Sequence, residues 1–236
     1  MARGIEADSI QSAVYEELKS GIMTLKLKPG ETMSAQEMAT RLNVSRTPVR
    51  EAFVSLQSEG LVDIFPQKGT VVSKINLERV EQERSLREAL EVSVVEPFLL
   101  RFHEQDLLHM RALVEQQEEC IAAGDSLGYV KADNAFHEIL FITAGRTLCW
   151  DVIKRNNGHY DRLRVLTVMN RETASGATRQ HEEIVALLQD KDADEVKRVL
   201  CSHLRKINYE KLDLLRDFGN FFGSPSADSK PQISRL

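Results

Sequence analysis

Residues 44–53 read VSRTPVREAF. Continued to Leu56, the segment places Val49, Ala52, Phe53 and Leu56 at the i, i+3, i+4, i+7 spacing of one helical face. Those side chains must turn toward a core, which leaves Arg46, Thr47 and Arg50 outside. Arg46 and Arg50 stand four apart and share a face. A guanidinium fork pairs bidentately with guanine or binds phosphate, and a threonine hydroxyl donates to phosphate. The positive end of the helix lies at the same place. Two solvated arginines paired with Glu51 or Asp63 would leave the same local pattern, so the flanking sequence has to decide.

Upstream, Ile10, Val14, Leu18 and Ile22 recur at steps of four, one face of a helix over 10–25. Pro29-Gly30 breaks it. Ser34-Ala35-Gln36-Glu37 is a capping box that opens a short helix to about Leu42. Asn43 tolerates the left-handed conformation of a tight turn. Ser45 is an N-cap for the next helix, with Pro48 in its first turn and Gly60 at its end. Downstream, LVDIF (61–65) and TVVS (70–73) are β-prone runs joined by Pro66-Gln67-Lys68-Gly69, which reads as a hairpin. Helix, helix, turn, helix and hairpin within residues 1–75 form the plan of a winged helix-turn-helix. That order outweighs the solvated-charge reading. The DNA-binding candidates are Ser45, Arg46, Thr47 and Arg50 on the recognition helix, with Lys68 and Gly69 at the wing tip.

The full chain of 236 residues, 42% hydrophobic and 28% charged, is composed like a soluble globular protein and excludes global disorder. No run approaches the ~18 apolar residues that span a bilayer. The start MARGIEADSIQS lacks the apolar stretch of a secretory signal. A cytoplasmic location is expected. Cys120, Cys149 and Cys201 are odd in number and widely spaced, which excludes a disulfide framework and leads to the expectation of buried thiols. Residues 1–75 carry nine basic and nine acidic side chains, so the whole net charge of −5 falls on the remainder. Any basic DNA footprint is therefore local.

Residues 76–222 read as an all-α antiparallel bundle, with helices near 78–102, 105–123, 127–144, 147–168, 177–189 and 192–217. Residues 223–236 read as a flexible tail. The fold class is therefore mainly α. Asp133 and His137 are i, i+4 neighbours within the stripe Val130–Asp133–His137–Leu140–Ala144. His181 shares a face with Ile184, Val185 and Leu188, and His203 with Val196, Val199, Leu200 and Ile207. A lone histidine on such a face is usually a satisfied core residue. Three of them with an aspartate are harder to dismiss, because a buried carboxylate without a partner costs several kcal/mol. One divalent cation would satisfy all four, and the donor set suits Zn, Ni, Mn or Fe. His103, His109 and His159 lack this context.

The pattern Pro29-Gly30-Glu31, Glu37-Met38-Ala39, Val44 to Ala52, Glu59-Gly60-Leu61-Val62 and Lys68-Gly69-Thr70 resembles the GntR family of bacterial regulators. Gln36 stands where members of the FadR branch can carry a DNA-contacting arginine. The segments LREALE (86–91), DNAFH (133–137) and HEEIVALLQDKDADEV (181–196), with His203, resemble the FCD effector domain of that branch, with Arg146 where asparagine is common. The resemblance implies a homodimer reading a short inverted repeat, and a bundle holding a metal ion beside a small carboxylate effector such as an organic or sugar acid. Arg87 is the first candidate to clamp that carboxylate, since a guanidinium forks onto it, with Arg162 and Arg164 behind it. The expectation is a regulator and not an enzyme, with no membrane partner. A metal-sensing repressor without an organic effector, and a metal-dependent hydrolase, stand as alternatives.

Overall fold

The structure, a computed structural model, describes residues 2–66 and 69–223; Lys68 and the segment 224–236, most of the expected tail, lie outside the described residues. Helix α1 (Ala2–Met23) turns Val14, Leu18 and Ile22 inward. Strand β1 (Thr32–Met33) follows the Pro29-Gly30 turn, then come α2 (Ala35–Leu42) and α3 (Arg46–Ser58). Ser34 caps α2 by accepting from the Glu37 N–H at 3.0 Å, and Asn43 closes it in the left-handed region at φ 53°. Val49, Ala52 and Leu56 are fully buried and pack against the apolar face of α1. Strands β2 (Val62–Phe65) and β3 (Gly69–Val72) pair antiparallel as expected. The sheet has a third member the sequence did not announce: β1 pairs with β3, giving the order β1-β3-β2. Two residues are too few to show alternation.

Among the described residues eight α-helices follow: α4 (Leu77–Leu99), α5 (Glu104–Ala123), α6 (Ser126–Thr143), α7 (Thr147–Arg155), α8 (Gly158–Thr167), α9 (Arg171–Asp190), α10 (Ala193–Arg205) and α11 (Ile207–Phe218). The stretch expected as one helix over 147–168 is two. Asn156 and Asn157 leave helical geometry, both at φ −121°. Gly158 then sits so close to Leu61 that a Cβ would lie 2.8 Å from its Cδ2. Buried Glu83 of α4 receives the freed N–H groups, accepting from His159 at 3.0 Å and Tyr160 at 2.9 Å. The break between α10 and α11 is slighter, since Lys206 keeps helical dihedrals of φ −52° and ψ −39°.

Phe98, Met110, Phe136, Leu140 and Phe141 anchor the large apolar cluster of the bundle. A further cluster joins Leu25 and Ile75 to Val80, Leu163 and Phe222, and so ties the end of the wing to the helices. The three cysteines are partly exposed and not buried as expected; Cys120 and Cys149 pack at the margins of the apolar clusters. Among the described residues no helix is long and apolar enough to cross a membrane.

Candidate functional site

Helix α3 is held by its apolar face, and its opposite face is open. Ser45, Arg46, Thr47 and Arg50 are all exposed. The Ser45 hydroxyl makes no capping bond. Among the described residues neither Arg46 nor Arg50 pairs with Glu51 or Asp63. Gly69 begins β3 at φ 106°, and a Cβ there would stand 3.2 Å from the Met33 carbonyl oxygen. The wing therefore needs glycine for its packing on β1.

The second constellation lies in the bundle. Asp133 and His137 come from α6, His181 from α9 and His203 from α10, and one ligand atom from each lies within 4.8 Å of the others. Three neighbours orient the rings. Glu91 Oε2 lies 2.8 Å from His137 Nδ1, Gln117 Oε1 lies 2.7 Å from His181 Nδ1, and Gln180 Oε1 lies 3.3 Å from His203 Nδ1. His181 and His203 thus spend Nδ1 on an amide oxygen, His137 Nδ1 faces the Glu91 carboxylate, and the Nε2 atoms of His137 and His181 turn toward Asp133. The His181 and His203 Nε2 atoms are 3.2 Å apart, and His137 and His181 Nε2 lie 3.6 and 3.7 Å from Asp133 oxygens. His137 Nε2 is buried and has no hydrogen-bond partner among the described residues. Oxygen acceptors behind imidazoles are the usual support of histidine metal ligands.

Electrostatics put Asp133, His181 and His203 in ligating form. Burial raises the Asp133 carboxyl, but Arg164 and the histidines His137 and His181 outweigh it and hold it far below the usual carboxylate range. Burial pushes His181 down to about 3 against the pull of Asp133, and burial with the neighbouring imidazoles takes His203 well below its ordinary value. An ionised Asp133 and the neutral imidazoles of His181 and His203 bind a cation without first losing a proton.

The three arginines part company here. Arg164 of α8 forms an ion pair with Asp133 and donates to Asn134 Oδ1 and Asp161 Oδ1, each at 2.7 Å. Arg87 lies fully buried behind the histidines, donating to Glu91 Oε1 at 2.6 Å and Asn134 Oδ1 at 3.2 Å. Its Nη2 stays 3.7 Å from Asp133 Oδ2 without a hydrogen bond. Arg162 does not reach this site and faces the wing instead. A cleft of about 390 Å³, counting its open mouth, descends to Asp133 and His203, with Tyr129, Tyr160, Arg164 and Lys206 on its walls. The Lys206 ammonium lies over Gly176 and donates to the Thr173 carbonyl at 3.2 Å.

Residues 10–72 match the model of the bacterial regulatory proteins of the gntR family, and residues 84–206 match the FCD domain. The HTH-type transcriptional repressor RspR of Escherichia coli K12 is 30% identical over 213 residues, which are 90% of this chain and 93% of that protein. The chain belongs to the GntR family. The Nta operon transcriptional regulator of Aminobacter aminovorans is 29% identical over 80% of this chain and 88% of its own. Among solved structures, a GntR-type regulator from Rhodococcus sp. RHA1 superposes with a TM-score of 0.74 at 22% identity, covering 87% of this chain and 98% of that one. E. coli McbR/YncC does so with a TM-score of 0.73 at 19% identity, over 88% and 97%.

The matched relatives are transcription regulators, and this GntR-family chain is likewise a regulator with an FCD domain and not an enzyme. Sequence reasoning missed Gln117, Gln180 and Glu91 as supports of the histidines. It also missed Tyr129, Tyr160 and Lys206 as walls of the cleft. The one available signal was spacing, since Glu91 lies one turn from Arg87.

Proposed function

We propose that this regulator is a ligand-responsive repressor that reads an inverted-repeat operator as a homodimer. Arg46, Thr47 and Arg50 enter the major groove from α3, with Ser45 and the wing residues Lys68 and Gly69 on the flanking backbone. The repressor sign follows the name of the E. coli relative. Two copies follow from the one recognition helix per chain, since helix-turn-helix proteins read two half-sites a turn apart. Asp133, His137, His181 and His203 hold a divalent cation of the Zn, Ni, Mn or Fe type. Such a cation supplies charge and open coordination positions to a small carboxylate in the cleft, where Arg164 and Lys206 add positive charge and the tyrosines bound its size. Arg87 shapes this site from behind by holding Glu91 and Asn134. The observation that carries the reading is the convergence of three imidazoles and one carboxylate, with the His181 and His203 rings tied back through Nδ1.

The test begins with duplexes selected from a random pool by the full chain. Arg46→Ala and Arg50→Ala are each expected to weaken the selected duplex by roughly 1–3 kcal/mol if they read bases, or to lower the salt slope by about one if they hold phosphate. Unchanged binding by both would refute the DNA face. Citrate added to Zn-loaded protein is expected to change duplex affinity. A response to chelation alone, with none to citrate or to other small organic acids at fixed metal, would favour the metal-sensing alternative.

A further inference from the structure

Arg162 and Arg164 are two apart on α8 and so point to different faces of one helix. Arg164 holds Asp133. Arg162, fully buried, has no carboxylate within ion-pair distance among the described residues and is held by backbone carbonyls and neutral side chains. Its Nε donates to the Gly158 carbonyl at 3.1 Å, Nη1 to the Ser73 carbonyl at 2.7 Å and Nη2 to Ser73 Oγ at 3.1 Å. Its Nη2 also lies 3.0 Å from His159 Nδ1, which accepts from the Asn76 N–H at 3.2 Å. The Ser73 hydroxyl in turn donates to the Gly60 carbonyl at 2.6 Å. Gly60, Ser73 and Asn76 are the points where the chain leaves α3, leaves the wing and enters α4. The guanidinium fastens Ser73 to α8 directly, and the Ser73 hydroxyl and the His159 ring extend the network to Gly60 and Asn76.

We infer that α8 is the coupling element of the regulator: Arg162, Ser73 and His159 pass occupancy of the Asp133 site to the hinge 60–76 and so to the aim of α3. This rests on the metal reading proposed above. Asp133 Oδ2 cannot serve both Arg164 and a cation at full strength, so a filled site loosens Arg164. The helix that carries it has ten residues and is anchored at its N-terminus by Glu83. A shift at Arg164 therefore reaches Arg162 two residues away. Buried hydrogen bonds with few alternative geometries give such a junction discrete positions. Ser73 and Arg162 are positioning residues that touch neither the site nor DNA.

The test is hydrogen exchange by mass spectrometry on the full chain with Zn²⁺ alone as the probe, and metal content measured on the same samples. Zn²⁺ is expected to change exchange across residues 60–76 of the wild type by about fivefold, the low end of ordinary coupling between sites. Ser73→Ala should load Zn²⁺ to the same content yet lose that response, and Ser73→Thr, which keeps the hydroxyl, should regain it. Arg162→Lys, which keeps charge but not the fork, should lose it too. A Ser73→Ala protein that responds like the wild type overturns the inference, as does a loaded wild type with no change over 60–76. A wild type that takes up no metal sinks the metal reading and this inference with it, and the metal content identifies that case.

Discussion

Lowering the pH should loosen the joint between the wing and the helices, and His159 sets the amount. Its ring is buried, and burial together with the neighbouring Arg162 and Arg79 guanidinium groups lowers its pKa to about 3. In the unfolded chain it titrates near 6.5. The folded pKa is the lower one, so below pH 6.5 the unfolded state binds a proton that the folded state does not, and stability falls as the pH drops. Between pH 7 and pH 5 the folded ring stays neutral, so the loss follows from the unfolded value alone. At 1.36 kcal/mol per unit it comes to about 2 kcal/mol by pH 5. Denaturant unfolding of metal-free protein at pH 7, 6 and 5 measures it against His159→Asn, which keeps an acceptor where Nδ1 meets Asn76 and Arg162. His181 and His203 act alike in both proteins, so the difference in slope isolates His159. Equal slopes would refute the argument.

Three further outcomes follow from particular contacts. His137→Ala should abolish bound metal in elemental analysis, and full stoichiometry in that variant would refute the proposed site. Leu56→Ala empties a fully buried position between α3 and α1, and should lower unfolding free energy by about 2–5 kcal/mol in denaturant titration. Gly69→Ala meets both a positive φ and the Met33 carbonyl oxygen, so it should lower the thermal midpoint, at a cost of about 1–3 kcal/mol; an unchanged midpoint would mean the wing does not need that geometry.

The first third of the chain was legible because its signals are local. Ser34 caps, Asn43 turns left-handed and Val49 to Leu56 recur with the helical period, each decided within a few residues. Errors came where tertiary contact overrode a pattern. Apolar periodicity ran through 147–168 without pause, yet Asn156-Asn157-Gly158 carried breaker chemistry that deserved more weight than the stripe. What makes the break possible is Glu83, far off in sequence, which accepts the N–H groups the new helix frees. β1 depends in the same way on β3, and two residues alone could not reveal it.

The metal constellation was legible for a reason only half right. The sequence leads to the expectation that one cation would satisfy a buried carboxylate and three histidines, and the four residues do converge. But Asp133 already has a cation in Arg164, with Arg87 close behind. Helix periodicity showed that Asp133 points inward and had no means of showing which arginine arrives from α8. The correction alters the chemistry. If Asp133 depended on metal for its charge balance, metal would be a structural clamp and its loss would unfold the bundle. With Arg164 in place Asp133 has a counter-charge without metal, and a cation at the proposed site would compete with a guanidinium for the same oxygen. That competition would weaken binding. On the reading proposed above it would also move a side chain whose helix is fastened to the wing, which is what a site that reports its occupancy requires.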